Sequence, residues 1–145
     1  MSQTAPLQSA AAARAQQGDQ AKTILLVDDS DFERFTIRAA VEGLTNFRVC
    51  GEANNGAEAI KMAPELKPDL VIIDLAMPLM NGLEAATVLK NAMPGVPIVM
   101  LTLYADEVQE SKSSAYGIDS VLSKVNGLAP LLARLEKLLG PADSV

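Results

Sequence analysis

Five residues of the 145-residue chain are of types that together can carry phosphoryl chemistry: Asp28, Asp29, Asp74, Thr102 and Lys124. Each closes a short apolar run. "TILLV" (23–27) ends at the Asp28-Asp29 pair, "DLVII" (69–73) at Asp74, "PIVML" (97–101) at Thr102 and "DSVLS" (119–123) at Lys124. Singly, each has an ordinary reading, since an acid pair caps a helix and a lone Asp, Thr or Lys is a solvated strand end. The information lies in their recurrence at corresponding places. Three carboxylates in one crevice repel each other, and a cation is needed to keep them ionised. Oxygen ligands in small number suit Mg²⁺, which holds a tight octahedral shell and keeps waters. One carboxylate is then free to act as nucleophile on a phosphoryl group. The three outer oxygens of that group need neutralising, and a cation, an ammonium and a hydroxyl supply one partner each. The chemistry expected is an aspartyl phosphate.

Such a cluster needs elements that bring distant positions to one edge. Besides the four runs above, "FRVCGEA" (47–53) is strand-like, and the five starts are separated by 22 to 28 residues. That period leaves room for a helix and two short loops between strands, hence βαβ units and a parallel sheet. Runs without alternation, such as "DLVII", suit strands buried on both faces. Ser30-Asp31-Phe32-Glu33 and Asn55-Gly56-Ala57-Glu58 fit a polar N-cap with Glu three residues on. In the first helix Phe32, Phe35, Ala39 and Leu44 lie near one face. In the last, Leu128, Leu131, Leu132, Leu135, Leu138 and Leu139 make a stripe best read as core packing. The segment 104–116, "YADEVQESKSSAY", offers little apolar surface and is the element expected to move. The result is a doubly wound α/β domain whose site lies beyond the carboxyl ends of its strands.

Composition narrows the function. A net charge of −6 argues against a nucleic-acid surface, which needs clustered Lys and Arg. No apolar stretch approaches the ~20 residues of a membrane span, and a cytoplasmic location is the default expectation. Residues 1–21 read as a disordered leader, 22–140 as the folded domain and 141–145 as a tail. The single cysteine, Cys50, reads as a small core hydrophobe. The chain has no histidine, so carboxylates, hydroxyls and lysine must do whatever chemistry occurs.

"LLVDDS", "VIIDLAMPLMNG", "VMLT" and "VLSK", in this order, resemble the receiver domain of response regulators in two-component signalling, of the chemotaxis-regulator type, over about residues 22–140. The resemblance implies a flavodoxin-like five-stranded parallel sheet of order 2-1-3-4-5 with five helices. It implies Asp74 as phospho-acceptor, with Asp28, Asp29, Asp74 and the backbone carbonyl of Ala76 as Mg²⁺ ligands. Thr102 and Lys124 would contact the phosphoryl group. Met77-Pro78 and Asn81-Gly82 match the loop after the acceptor, where the Gly permits a tight turn into the next helix. Two positions depart from the family pattern. Val125 follows the lysine where Pro is common, and Val121 stands where an aromatic switch residue is usual. Thr102, Tyr104 and Tyr116 are the switch candidates that this leaves.

By that resemblance the chain is a stand-alone, single-domain response regulator rather than an enzyme, assisting its own Mg²⁺-dependent phosphorylation and dephosphorylation. A histidine kinase or phosphotransfer protein would donate the phosphoryl group. Output would be binding of another protein, or pairing with a second copy through the 102–125 face. A phosphate sink or relay and a fragment of a larger regulator are the nearest alternatives. A phosphate-ester hydrolase is disfavoured because Ala76 stands where its second carboxylate would be. A dinucleotide module is disfavoured because "DDSDFER" has no glycines.

Overall fold

The computed structural model describes residues 21–108 and 110–140, with side chains left undescribed at 110–112. The expected leader, save its last residue, and the expected tail lie outside the described residues. The elements alternate: β1 (Thr23–Val27), α1 (Asp31–Leu44), β2 (Arg48–Ala53), α2 (Gly56–Leu66), β3 (Leu70–Ile73), α3 (Gly82–Ala92), β4 (Ile98–Thr102), a 3-10 turn (Ala105–Glu107), α4 (Glu110–Ala115), β5 (Ser120–Ser123), a 3-10 turn (Lys124–Asn126) and α5 (Ala129–Leu139). All strand pairs are parallel, and the sheet order is β2-β1-β3-β4-β5. The five-stranded, five-helix doubly wound architecture is therefore as expected. No helix among the described residues is long and apolar enough to cross a membrane.

Strand alternation sends neighbouring side chains to opposite faces, and two apolar layers result. Leu25, Val27, Val71, Ile73, Ile98 and Met100 pack with Ala59 and Ala63 of α2 and Ala85, Ala86 and Leu89 of α3. Ile24, Leu26, Leu70, Ile72, Val99 and Leu101 pack with Ile37 and Val41 of α1 and Leu131 and Leu135 of α5. Because both faces are covered, the three central strands have no polar side, which is why β3 reads as an unbroken apolar run.

The α5 leucine stripe is core except at Leu138, which is 36% exposed: Leu131 and Leu135 are at 0% exposure and Leu128, Leu132 and Leu139 pack against them. In α1 the face marked by Phe32, Phe35 and Leu44 is not the buried one: these side chains are 73%, 70% and 72% exposed. Ile37 and Val41, four residues apart, seat the helix instead. Cys50 is half-buried, its Sγ donating to the Ile24 carbonyl at 3.6 Å, and burial pushes its thiol pKa up.

Candidate functional site

The parallel register fixes the backbone of the site before any side chain is considered. Val27 pairs with Ile73 and with Ala53. The ladder continues one residue further, with Asp28 N–H donating to Ala53 O at 3.1 Å and Asp74 N–H to Val27 O at 3.0 Å. Asp28 and Asp74 therefore leave adjacent strands at one level. Thr102 pairs with Ser123, which puts it beside the residue preceding Lys124. Four strand ends thus converge as the sequence predicts.

The loop after Asp74 is held against the site by close approach. Gly82 N–H donates to Leu75 O at 2.8 Å, and a Cβ on Gly82 would lie 2.2 Å from the Asp74 carbonyl oxygen. Glycine is required there for space between α3 and the end of β3, rather than for the turn the sequence suggested. Asn81 then caps α3 in a full capping box with Glu84.

One carboxylate oxygen from each of Asp28, Asp29 and Asp74 lies within 4.8 Å of the others. Asp28 and Asp74 are buried, at 3% and 7%, while Asp29 faces solvent. Lys124 Nζ enters from β5 and donates to Asp28 Oδ2 at 2.8 Å and Asp74 Oδ2 at 3.2 Å. The two acids are bonded differently. Both Asp28 oxygens are engaged, since Oδ1 accepts the Ser30 N–H at 2.9 Å. Asp74 has Oδ1 buried with no hydrogen-bond partner. An unmet acceptor in a buried place costs stability, on the order of 1–3 kcal/mol, and it fits a site made to receive a cation or an electrophile at that atom. Residues at hand fit Mg²⁺ in donor chemistry, being all carboxylate and one of them orphaned.

Burial pushes the Asp28 carboxyl above its usual value, against the hydrogen bonds from Lys124 and Ser30, and the Asp74 charge adds to the rise. For Lys124, burial pulls downward. The hydrogen bond and charge of Asp28, with those of Asp74 behind them, overcome it and hold the ammonium above its ordinary value. Lys124 is thus firmly cationic, and Asp28 is the carboxylate that burial penalises.

Thr102 is fully buried, and its Oγ1 accepts from Tyr104 N–H at 3.2 Å. Ala76 is exposed in the loop two residues past Asp74. Tyr104 and Tyr116 are 45% and 38% exposed, so neither switch candidate is packed inside the domain. Val121 packs at the edge of the first apolar layer.

Two contributors escaped the sequence reading. Arg34, only 11% exposed in its side chain, donates to the Asp28 carbonyl and to Glu52 of β2 at 2.9 Å, tying the strand end to α1. Glu33 approaches Lys124 with Oε1 3.7 Å from Nζ. The spacing that assigned Glu33 to a helix cap concealed it.

A family model for the response regulator receiver domain matches residues 24–136. Chemotaxis protein CheY of Halobacterium salinarum is 39% identical over 104 residues, 72% of this chain and 85% of CheY. Response regulator protein VraR of Staphylococcus saprophyticus is 33% identical over 114 residues, 79% of this chain. The chain spans about half of VraR, 54% of its length. Among solved structures, response regulator protein TrrA of Thermotoga maritima, crystallised in complex with Mg(2+)-BeF, matches with TM-score 0.72 and 30% identity over 81% of this chain and 98% of that one.

Proposed function

The chain belongs to the response regulator receiver domain family, and from that premise we propose that it accepts a phosphoryl group on Asp74 from a histidine kinase or phosphotransfer protein and signals by a change in what it binds. The observation that carries the choice of Asp74 is its buried, unpartnered Oδ1 beside an Asp28 whose two oxygens are both engaged. Asp74 Oδ1 forms the new bond to phosphorus as the bond from phosphorus to the donor's imidazole nitrogen breaks, and the electron pair leaves with the imidazole. With no histidine in the chain, that imidazole comes from a partner.

Asp28, Asp29, Asp74 and the Ala76 carbonyl would hold Mg²⁺, which when bound neutralises the acids and offsets charge on the phosphoryl oxygens. Lys124 shifts from carboxylates to a phosphoryl oxygen, and the Thr102 hydroxyl turns toward another. That turn loosens its acceptance of the Tyr104 N–H, so Thr102, Tyr104 and, across the same segment, Tyr116 relay the event to the 102–125 face. Exposed apolar side chains close in sequence to the site, namely Phe32, Leu79, Leu103 and Val125, suit docking of the donor and of an output protein or second copy. The acidic balance suits protein rather than nucleic-acid partners, in the cytoplasm.

Val121 in place of an aromatic favours a second reading, a phosphate sink or relay with no output partner. Binding assays with and without a phosphoryl mimic separate the two, because a sink has no partner whose affinity changes.

Incubation with acetyl phosphate and Mg²⁺, followed by intact-mass measurement, tests the main reading. Wild type gains one phosphoryl group only when Mg²⁺ is present, and Asp74→Ala gains none. Equal gain by both proteins would refute it.

A further inference from the structure

Three helices open on a polar cap, Ser30, Asn55 or Asn81, with Glu three positions on, yet in α1 that Glu is used differently. In α3, Glu84 Oε1 returns to the Asn81 N–H at 3.0 Å, and in α2, Glu58 Oε1 returns to the Asn54 N–H at 2.7 Å. In α1, Ser30 Oγ accepts from the Glu33 N–H at 3.1 Å, so half of the box is made. The Ser30 N–H that Glu33 would take in return is already given to Asp28 Oδ1 at 2.9 Å. The Glu33 carboxylate is thereby released from capping, and it lies 3.7 Å from Lys124 Nζ, an ion pair longer than a hydrogen bond.

Lys124 therefore faces three carboxylates of two kinds. Asp28 and Asp74 belong to the set whose oxygens converge on one point, whereas Glu33 does not. Glu33 is also the most open of the three, with a side chain 38% exposed against 4% and 9%. An ammonium and a divalent cation contend for the same oxygens of Asp28 and Asp74, because two positive charges a few ångströms apart repel strongly in a buried site.

We infer that Glu33 is a positioning residue for Lys124: it is the carboxylate Lys124 keeps when Asp28 and Asp74 turn to a cation. By holding the ammonium at the rim of the pocket, Glu33 both eases cation entry and keeps Lys124 within reach of an incoming phosphoryl oxygen. The inference rests on the reading of the pocket as a metal-dependent phosphoryl acceptor. It concerns a residue outside the acid cluster, and Glu33 touches none of the reacting atoms.

Calorimetric titration with Mg²⁺ of wild type, Glu33→Gln, Lys124→Met and the double variant tests it. Gln keeps the shape and length of Glu33 and removes only its charge. Glu33→Gln is expected to weaken Mg²⁺ binding by about three- to fivefold while Lys124 is present, the span of a half-exposed ion pair. Lys124→Met alone tightens binding by removing the competitor. In the Lys124→Met background the loss on Glu33→Gln is expected to be smaller by at least about twofold, because only through-space attraction is left. Equal losses in the two backgrounds would overturn the role of Glu33. Absence of Mg²⁺ binding by wild type would instead overturn the reading of the pocket, and the inference with it.

Discussion

The two sides of the pocket are built on opposite terms. On the β1, β3 and β5 side, the pocket is held by specific bonds, Asp28 by Ser30 and Lys124, the Asp28 carbonyl by Arg34 and Asp74 Oδ2 by Lys124, and Asp74 Oδ1 alone of these atoms is left open. On the β4 side, Thr102 is buried, but the chain past it turns outward through Leu103 at 61% and Tyr104 at 45% exposure. A three-residue 3-10 turn and a six-residue helix follow, where an ordinary crossover helix would run twice as long. Charges that must stabilise a transferred group have to be held in place beforehand. A segment that reports on that group has to change arrangement at low cost. On the proposed function, the contrast places chemistry on the first side and readout on the second.

The contrast can be broken most forcefully by comparing anchors. Leu135, at 0% exposure on the buried face of α5, is expected to cost about 2–5 kcal/mol on Leu135→Ala. Tyr104→Ala, on the β4 side, is expected to cost under about 1 kcal/mol. Chemical denaturation measures both, and a Tyr104 loss as large as that of Leu135 would mean the readout side is held as firmly as the core.

A smaller effect, specific to the charged side, is expected from Lys124→Met. Removing the cation from a buried pair costs up to about 3 kcal/mol, here reduced by the solvent that Glu33 and Asp29 see. Melting in EDTA should show this loss, and Mg²⁺ should restore most of it through linkage. A loss unchanged by Mg²⁺ would show that Lys124 serves packing rather than charge balance.

The smallest effect is a titration. Asp28 binds its proton more tightly in the folded chain than its ordinary value of 3.8, so its contribution to stability is complete below that range. It is lost as pH rises through the raised value. Carboxyl ¹³C titration in EDTA should place the Asp28 midpoint above 3.8, and Mg²⁺ should bring it below. A midpoint under 3.8 without metal would show that Lys124 outweighs burial.

How much of this was legible in the sequence depends on the range of the forces involved. Strand ends were legible because a buried parallel strand must be apolar on both faces, so Asp28, Asp74, Thr102 and Lys124 stand out where the run stops. The α5 stripe was legible for a different reason, because a helix buried along one face repeats its apolar residues three and four apart. The buried face of α1 was misread, because Phe32 and Phe35 outweigh Ile37 and Val41 in apolar size, although the latter pair is spaced to meet the sheet. Gly82 was flagged for the wrong cause, since the approach of its Cα to the Asp74 carbonyl is a contact that residue spacing does not display. Glu33 was hidden by a competing local pattern. Its release from the cap depends on Asp28 reaching Ser30 first, which only the folded loop reveals.

On the proposed function, the pocket directs the phosphoryl group to Asp74 and not to its neighbours at 28 and 29. Borohydride reduction of the protein after treatment with acetyl phosphate and Mg²⁺ converts an aspartyl phosphate to homoserine, and peptide mass mapping then locates it. Homoserine at position 74 alone is the predicted result. Homoserine at 28 or 29 with position 74 unmodified would contradict the assignment and the weight placed on its unpartnered oxygen.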